Sequence, residues 1–131
     1  MAVEMALLAN QLSQLGRDLQ LEITLLGEME EAAVEAEGQY RSLDAAHEDD
    51  LARAFLRARG TNAEARKAEA RLDCIQSRLI ADQANLDWNR KKAQLRTQHA
   101  NISALHRRIE VGRSLLSREK ALVGLELSGI S

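Results

Sequence analysis

Proline is absent, cysteine occurs once and aromatic residues number three, Tyr40, Phe55 and Trp88, in a chain of 131 residues. Without proline, no residue removes a backbone donor or forces a helix to break. The lone Cys74 excludes an internal disulfide framework and fits a reducing compartment, so a cytoplasmic location is expected. So few aromatics leave a core to be filled by leucine, isoleucine and alanine, as in helical bundles. Long hydrophobic runs are also missing. The longest are Met5 to Ala9 and the stretch from Ala121 to Leu127, broken by Gly124 and Glu126, both too short to span a bilayer. Glu4 and the lack of any basic residue before Arg17 do not read as a secretory signal.

What remains is rich in leucine, alanine, glutamate, arginine and glutamine, residues that lose little side-chain freedom on a helix. The expected class is all-α, a single helical domain over residues 1–131. The clearest boundary is Arg59-Gly60-Thr61, where Gly60 suits a left-handed C-cap and Thr61 suits an N-cap. Glu64, three residues after Thr61, has the spacing of a capping box. This places arm one at about 2–58, a turn at 59–61 and arm two at about 62–127. Continuous arms would each reach roughly 90 Å at 1.5 Å per residue. Gly16, Gly27 and Gly38 recur at spacing 11, and Gly112 and Gly124 interrupt the second arm. Each helical glycine costs about 1 kcal/mol relative to alanine, so these positions are where an arm would bend, Gly27 and Gly38 foremost.

Met5, Leu8, Leu12, Leu15, Leu19, Ile23 and Leu26 follow a mostly 3-4 alternation, and Leu95, Ile102, Ile109, Leu116 and Val123 repeat every seven residues. This is coiled-coil spacing. Folding the arms antiparallel about Gly60 pairs residues whose numbers sum to about 121. Met5 then faces Leu116, Leu12 faces Ile109, Leu19 faces Ile102 and Leu26 faces Leu95, followed by Ala33 with Trp88, Tyr40 with Ala81 and His47 with Cys74. Near the turn, Leu43, Leu51, Phe55, Leu72, Ile75 and Leu79 follow a different phase. Charge supports the antiparallel sense: residues 1–58 hold 12 acids and 4 bases, whereas residues 85–120 hold 9 bases and 3 acids. Glu28, Glu30, Glu31, Glu35 and Glu37 would then answer Arg90, Lys91 and Lys92, with Glu4 and Asp18 near Arg107, Arg108, Arg113 and Arg118. Two helices alone bury little surface. Leu7, Leu21 and Leu25 in the first arm, and Leu115, Leu122, Leu125 and Leu127 in the second, form a further apolar stripe. That stripe calls for self-association into a four-helix or larger bundle, or for a heterologous helix.

Motifs for chemistry are missing: there is no phosphate-binding glycine loop, nucleophile elbow or cysteine-pair metal motif. His99 and His106 stand two helical turns apart, too far to share an ion, and His47 with Cys74 would supply only two ligands. No cofactor or metal is expected, and no enzymatic activity. A nucleic-acid reading rests on Arg90, Lys91, Lys92 and Arg96, continued by Arg107, Arg108 and Arg113, with Trp88 for base stacking. The net charge of −2 and the single nearby aromatic favour the view that these bases answer the acidic arm instead.

The stretch from Tyr40 through Ala70, centred on Arg59-Gly60-Thr61-Asn62-Ala63-Glu64-Ala65-Arg66-Lys67 with Glu69 and Ala70, resembles small uncharacterised coiled-coil proteins of tailed bacteriophages. The resemblance covers about a quarter of the chain and carries no catalytic residues. It implies an accessory or inhibitor protein acting in a bacterial host cytoplasm by binding a host or phage protein. The sequence therefore predicts a non-enzymatic coiled-coil interaction module that binds itself and another protein. The alternative is a nucleic-acid-binding accessory factor for recombination or replication.

Overall fold

The computed structural model describes residues 2–130, and all regular secondary structure among them is helical. Helix α1 spans Ala2–Arg57, α2 Ala63–Asp73 and α3 Ile75–Ile130. They pack into two compact units, Met1–Glu28 with Arg96–Ser131, and Met29–Leu95. Helices α1 and α3 each contribute to both.

The first helix ends where expected, but the turn is built differently. Asn62, not Thr61, is the N-cap of α2: its backbone is extended and its side-chain oxygen accepts from the Ala65 amide at 2.8 Å. An asparagine cap satisfies the same orphan amide one residue later, so Glu64 lies in the first turn without completing a capping box. Gly60 is not left-handed; no glycine among the described residues has positive φ. Its role is close approach, since a Cβ there would sit 2.8 Å from both the Ala65 Cβ and the Arg66 backbone nitrogen.

None of the interior glycines breaks a helix: Gly16, Gly27, Gly38, Gly112 and Gly124 all lie within α1 or α3. The second arm is interrupted at Cys74 instead. There the backbone opens to φ −109° and ψ 16°, and the Cys74 amide is shared between the carbonyls of Ala70 and Arg71. Buried Cys74 packs with Ala54 and Ala70 under half-buried Leu51 and Phe55. This places Ala70, Cys74 and Ala81 inside, while Leu72, Ile75 and Leu79 are exposed. Small side chains win the inner positions because they allow close helix approach.

In the unit formed by Met1–Glu28 and Arg96–Ser131, the half-buried seam positions of α1 are Met5, Leu8, Leu12, Leu15, Leu19, Glu22 and Leu26, with Asp18 half-buried beside Leu19. Facing them on α3 are Gln98, Ile102, Leu105, Ile109, Gly112, Leu116, Glu119 and Val123. Both sets alternate steps of three and four, the period that keeps one helix face turned to a partner. Leu12 lies over Gly112, where an added Cβ would meet the Leu12 Cδ2 at 2.5 Å. Glu22 meets Gln98, whose Nε2 donates to the Glu22 carbonyl at 2.9 Å and to its carboxylate. As numbers rise on α1 they fall on α3, so these segments run antiparallel. Leu12 and Ile109 line the same cleft, as expected, but Leu12 seats on Gly112, three residues further on.

In the unit Met29–Leu95 the buried positions are mostly small: Ala33, Ala36, Ala54, Ala70, Cys74 and Ala81, with His47. Ala33 and Ala81 are buried, and Tyr40 and Trp88, placed in neighbouring layers by the sequence, stack on each other with ring centroids 5.7 Å apart. Such a pair contributes about 0.5–1.5 kcal/mol beyond its buried area. His47 likewise meets Ser77 rather than the Cys74 thiol. Its Nδ1 lies 2.8 Å from the Ser77 Oγ, which donates to the Cys74 carbonyl at 3.1 Å.

Candidate interaction surface

The two sides of the Leu12–Gly112 seam differ. One carries a groove of 340 Å³ lined by Leu8, Leu12, Leu15, Val111 and Leu115, with Gln11, Arg107 and Arg108 at its edges. The cleft on the other side, 370 Å³, is lined by Ser13, Gly16, His106, Glu110 and Arg113 besides Leu12, Leu19 and Ile109. Only the first side offers a continuous apolar face.

The apolar face extends beyond the groove along both helices. On α3, Val111, Leu115, Leu122 and Leu125 follow one another at four, seven and three residues, which sets them on the groove-lining side. On α1, Val3 and Leu7 lie four apart on the flank that carries Gln11. The six leucines expected to form a contact surface, Leu7, Leu21, Leu25, Leu115, Leu122 and Leu125, are 41–70% exposed. They do not form one patch. Leu7, Leu115, Leu122 and Leu125 cluster toward the terminal end, whereas Leu21 and Leu25 stand further along α1. Leu127, five residues from Leu122, is turned about 140° away from this face. Sequence reading missed Val111, although stepping back four from Leu115 would have found it. It also missed the Glu22–Gln98 pair, because neither residue is apolar.

The basic segment is arranged differently from its expected role. Every ion pair among the described residues is within one helix, three or four residues apart: Arg41–Glu37, Arg53–Asp49, Lys67–Glu64, Arg78–Asp82 and Lys91–Asp87. The acids of α1 therefore do not pair directly with Arg90, Lys91 or Lys92. A neighbour one turn away is reached with less loss of side-chain freedom than one across a seam. Trp88 is half-buried and occupied. Tyr40 stacks on it, the Lys92 Nζ stands 3.9 Å from its ring centroid and the Arg41 Cζ 5.8 Å away. Arg90, Arg96, Arg107 and Arg108 are exposed, with no ion-pair partner among the described residues.

His99 and His106 are exposed on α3. Among the described residues no group of three or more histidine, cysteine or acidic side chains is gathered as a metal site would require. No helix among them is long and apolar enough to cross a membrane. Comparison of the chain with protein-family models, with curated proteins and with solved structures finds no match.

Proposed function

We propose that this chain is a non-enzymatic helical interaction module. Its antiparallel helix pairs are held by coiled-coil seams, and the apolar side of the Met1–Glu28/Arg96–Ser131 unit is its binding face. The observation that carries this reading is the unpartnered groove of Leu8, Leu12, Leu15, Val111 and Leu115, continued by exposed Leu7, Leu122 and Leu125. Contiguous apolar surface rimmed by polar groups marks an interaction site in a folded protein. The resemblance to phage accessory proteins, if carried through, makes the partner a host or phage protein and the effect accessory or inhibitory.

The test compares the immobilised chain with its Leu115→Glu/Leu122→Glu variant in a bacterial host lysate. Proteins retained by the first and lost by the second, at unchanged helicity, are the expected outcome. Binders held equally by both, or none from a chain that is also monomeric, would overturn the reading.

A nucleic-acid role has one specific observation behind it, the four exposed and unpaired arginines Arg90, Arg96, Arg107 and Arg108. Against it, the Trp88 ring is engaged by Tyr40, Lys92 and Arg41, and Lys91 is paired with Asp87. Phosphate binding through several bases would weaken by orders of magnitude between about 50 and 200 mM salt. Tight binding with that salt dependence, abolished by Arg90→Glu/Arg96→Glu without loss of helicity, would replace the protein-binding reading. We expect only weak, non-saturating binding near physiological salt.

A further inference from the structure

The apolar side of the Met1–Glu28/Arg96–Ser131 unit is exposed in a chain that has little else to bury. Among the described residues no large side chain is fully buried, and the chain exposes 9595 Å². A compact folded chain of 14.5 kDa exposes about 6,900 Å². The excess, roughly 2,700 Å², is several times the ~800 Å² that each partner of a stable complex contributes. That leaves ample uncovered surface for a partner as large as another helix pair.

Charge narrows the choice. Residues 2–28 carry four acids and one base, Arg17, whereas residues 96–130 carry six bases and three acids. The α1 segment is thus net −3 and the α3 segment net +3. Arg107 and Arg108 edge the groove, and neither they, Arg118 nor Glu4 has an ion-pair partner among the described residues. A partner matching this face must itself present one negative and one positive helix, with apolar residues between. This chain is such a partner.

We propose that a second copy of the chain covers this face, related by a two-fold axis parallel to the helices, so that α1 of each copy lies against α3 of the other. The competing face-to-face arrangement, with its two-fold axis across the helices, would lay α1 on α1 and α3 on α3, like charge on like. The chosen one is isologous: both of its cross-copy contacts are the same, and each joins unlike charges. It also aligns the side chains. Within one chain Glu22 stands level with Gln98 and Leu12 with Gly112, so level residues have numbers summing to about 120–124. An axis parallel to the helices keeps every residue at its level. Leu7 therefore meets the partner copy's Leu115, Val3 meets its Leu122, Asp18 approaches its Arg107, and Glu4 its Arg118. The polar side, with Ser13, His106, Glu110 and Arg113, is left to water.

This inference rests on the reading of this face as the binding surface, and it names the occupant. Its test uses the full chain in a Cys74→Ala background, with Leu7→Cys in one preparation and Leu115→Cys in another. Sedimentation at protein concentrations on the order of 10 micromolar should show a dimer. Mixing the two cysteine variants under mild oxidation should yield a mixed disulfide between copies in excess of either homodimeric disulfide. Leu115→Glu/Leu122→Glu should weaken the dimer by about 100-fold or more, and Arg113→Glu, on the polar side, by much less. Helicity measured by circular dichroism on each variant keeps loss of association distinct from loss of folding. A wild-type chain that stays monomeric overturns the second copy as occupant while leaving the face open to a different protein. A dimer without the Leu7–Leu115 cross-link, or one broken equally by Arg113→Glu, overturns the two-fold arrangement. Retention of lysate proteins by the apolar side in the first case, or its absence, separates failure of the occupant from failure of the face.

Discussion

The same substitution, glycine to alanine, should change stability in opposite senses at two positions that local sequence does not distinguish. At Gly27 nothing lies within 4 Å of where a Cβ would go, and the same holds at Gly16 and Gly38. Alanine there removes the backbone-entropy cost of a helical glycine, about 0.5–1 kcal/mol each, without creating a contact. The three sites are 11 residues apart, far enough for their effects to add, so the triple variant should gain about 1.5–3 kcal/mol. At Gly112 the helix-propensity gain is the same, but the new methyl would sit 2.5 Å from the Leu12 Cδ2 and 3.3 Å from its Cγ. Leu12 is held in the seam, and overpacking of this kind typically costs about 1–3 kcal/mol. Gly112→Ala should therefore be neutral to destabilising by about 2 kcal/mol. Urea unfolding followed by circular dichroism, at one fixed protein concentration because association shifts the midpoint, measures both. A Gly112→Ala midpoint raised as far as that of Gly27→Ala would refute the packing of Leu12 onto Gly112. A triple variant that lost stability would show that the α1 glycines are covered.

Two further perturbations test the turn and the buried polar pair. Asn62→Ala should lower stability by about 1 kcal/mol through loss of the α2 cap, whereas Thr61→Ala should leave the urea midpoint nearly unchanged; equal effects would put the cap back on Thr61. Gln98→Ala leaves the Glu22 carboxylate half-buried without its donor and should cost about 1–3 kcal/mol, while Glu22→Leu/Gln98→Leu should be neutral or stabilising. A double variant less stable than Gln98→Ala alone would mean that the pair contributes more than it costs to bury.

The helical class, the place of the turn and the antiparallel sense were legible because each rests on many residues at once. Leucine and isoleucine recur at steps of three, four and seven through both long helices, and acids and bases segregate between them. The finer placement rests on single side chains whose role depends on what faces them. Asn62 and Thr61 are both good caps, and nothing local separates neighbours one residue apart. Register was legible to within about three residues: the expected sum of about 121 holds at Glu22 with Gln98 and drifts to 124 at Leu12 with Gly112. A drift of that size still sets leucine against apolar residues, so the hollow at Gly112 could not be foreseen. Charge segregation suggested direct pairs across the seam, but long side chains find partners one turn away at lower entropic cost. The leucines of the candidate surface were legible as a surplus. Which side of the seam they share, and that Leu127 does not belong with them, required the groove itself.

The interruption at Cys74 has a consequence for how the protein opens. Helix α2 is 11 residues long, below the length at which an isolated helix persists in water. Its order is borrowed from a few attachments: the Asn62 cap, the Arg59 amide donating to the Glu69 carboxylate at 3.0 Å, Arg66 over the Phe55 ring, and Ala70 against Ala54. At the joint the Cys74 amide is shared between the Ala70 and Arg71 carbonyls, while the Arg78 amide still donates to the Cys74 carbonyl at 3.1 Å, so the ladder thins there without breaking. The turn end is therefore expected to open as a unit, its amides exchanging with solvent at a lower free energy than those of the leucine-lined seam near Leu12 and Ile109.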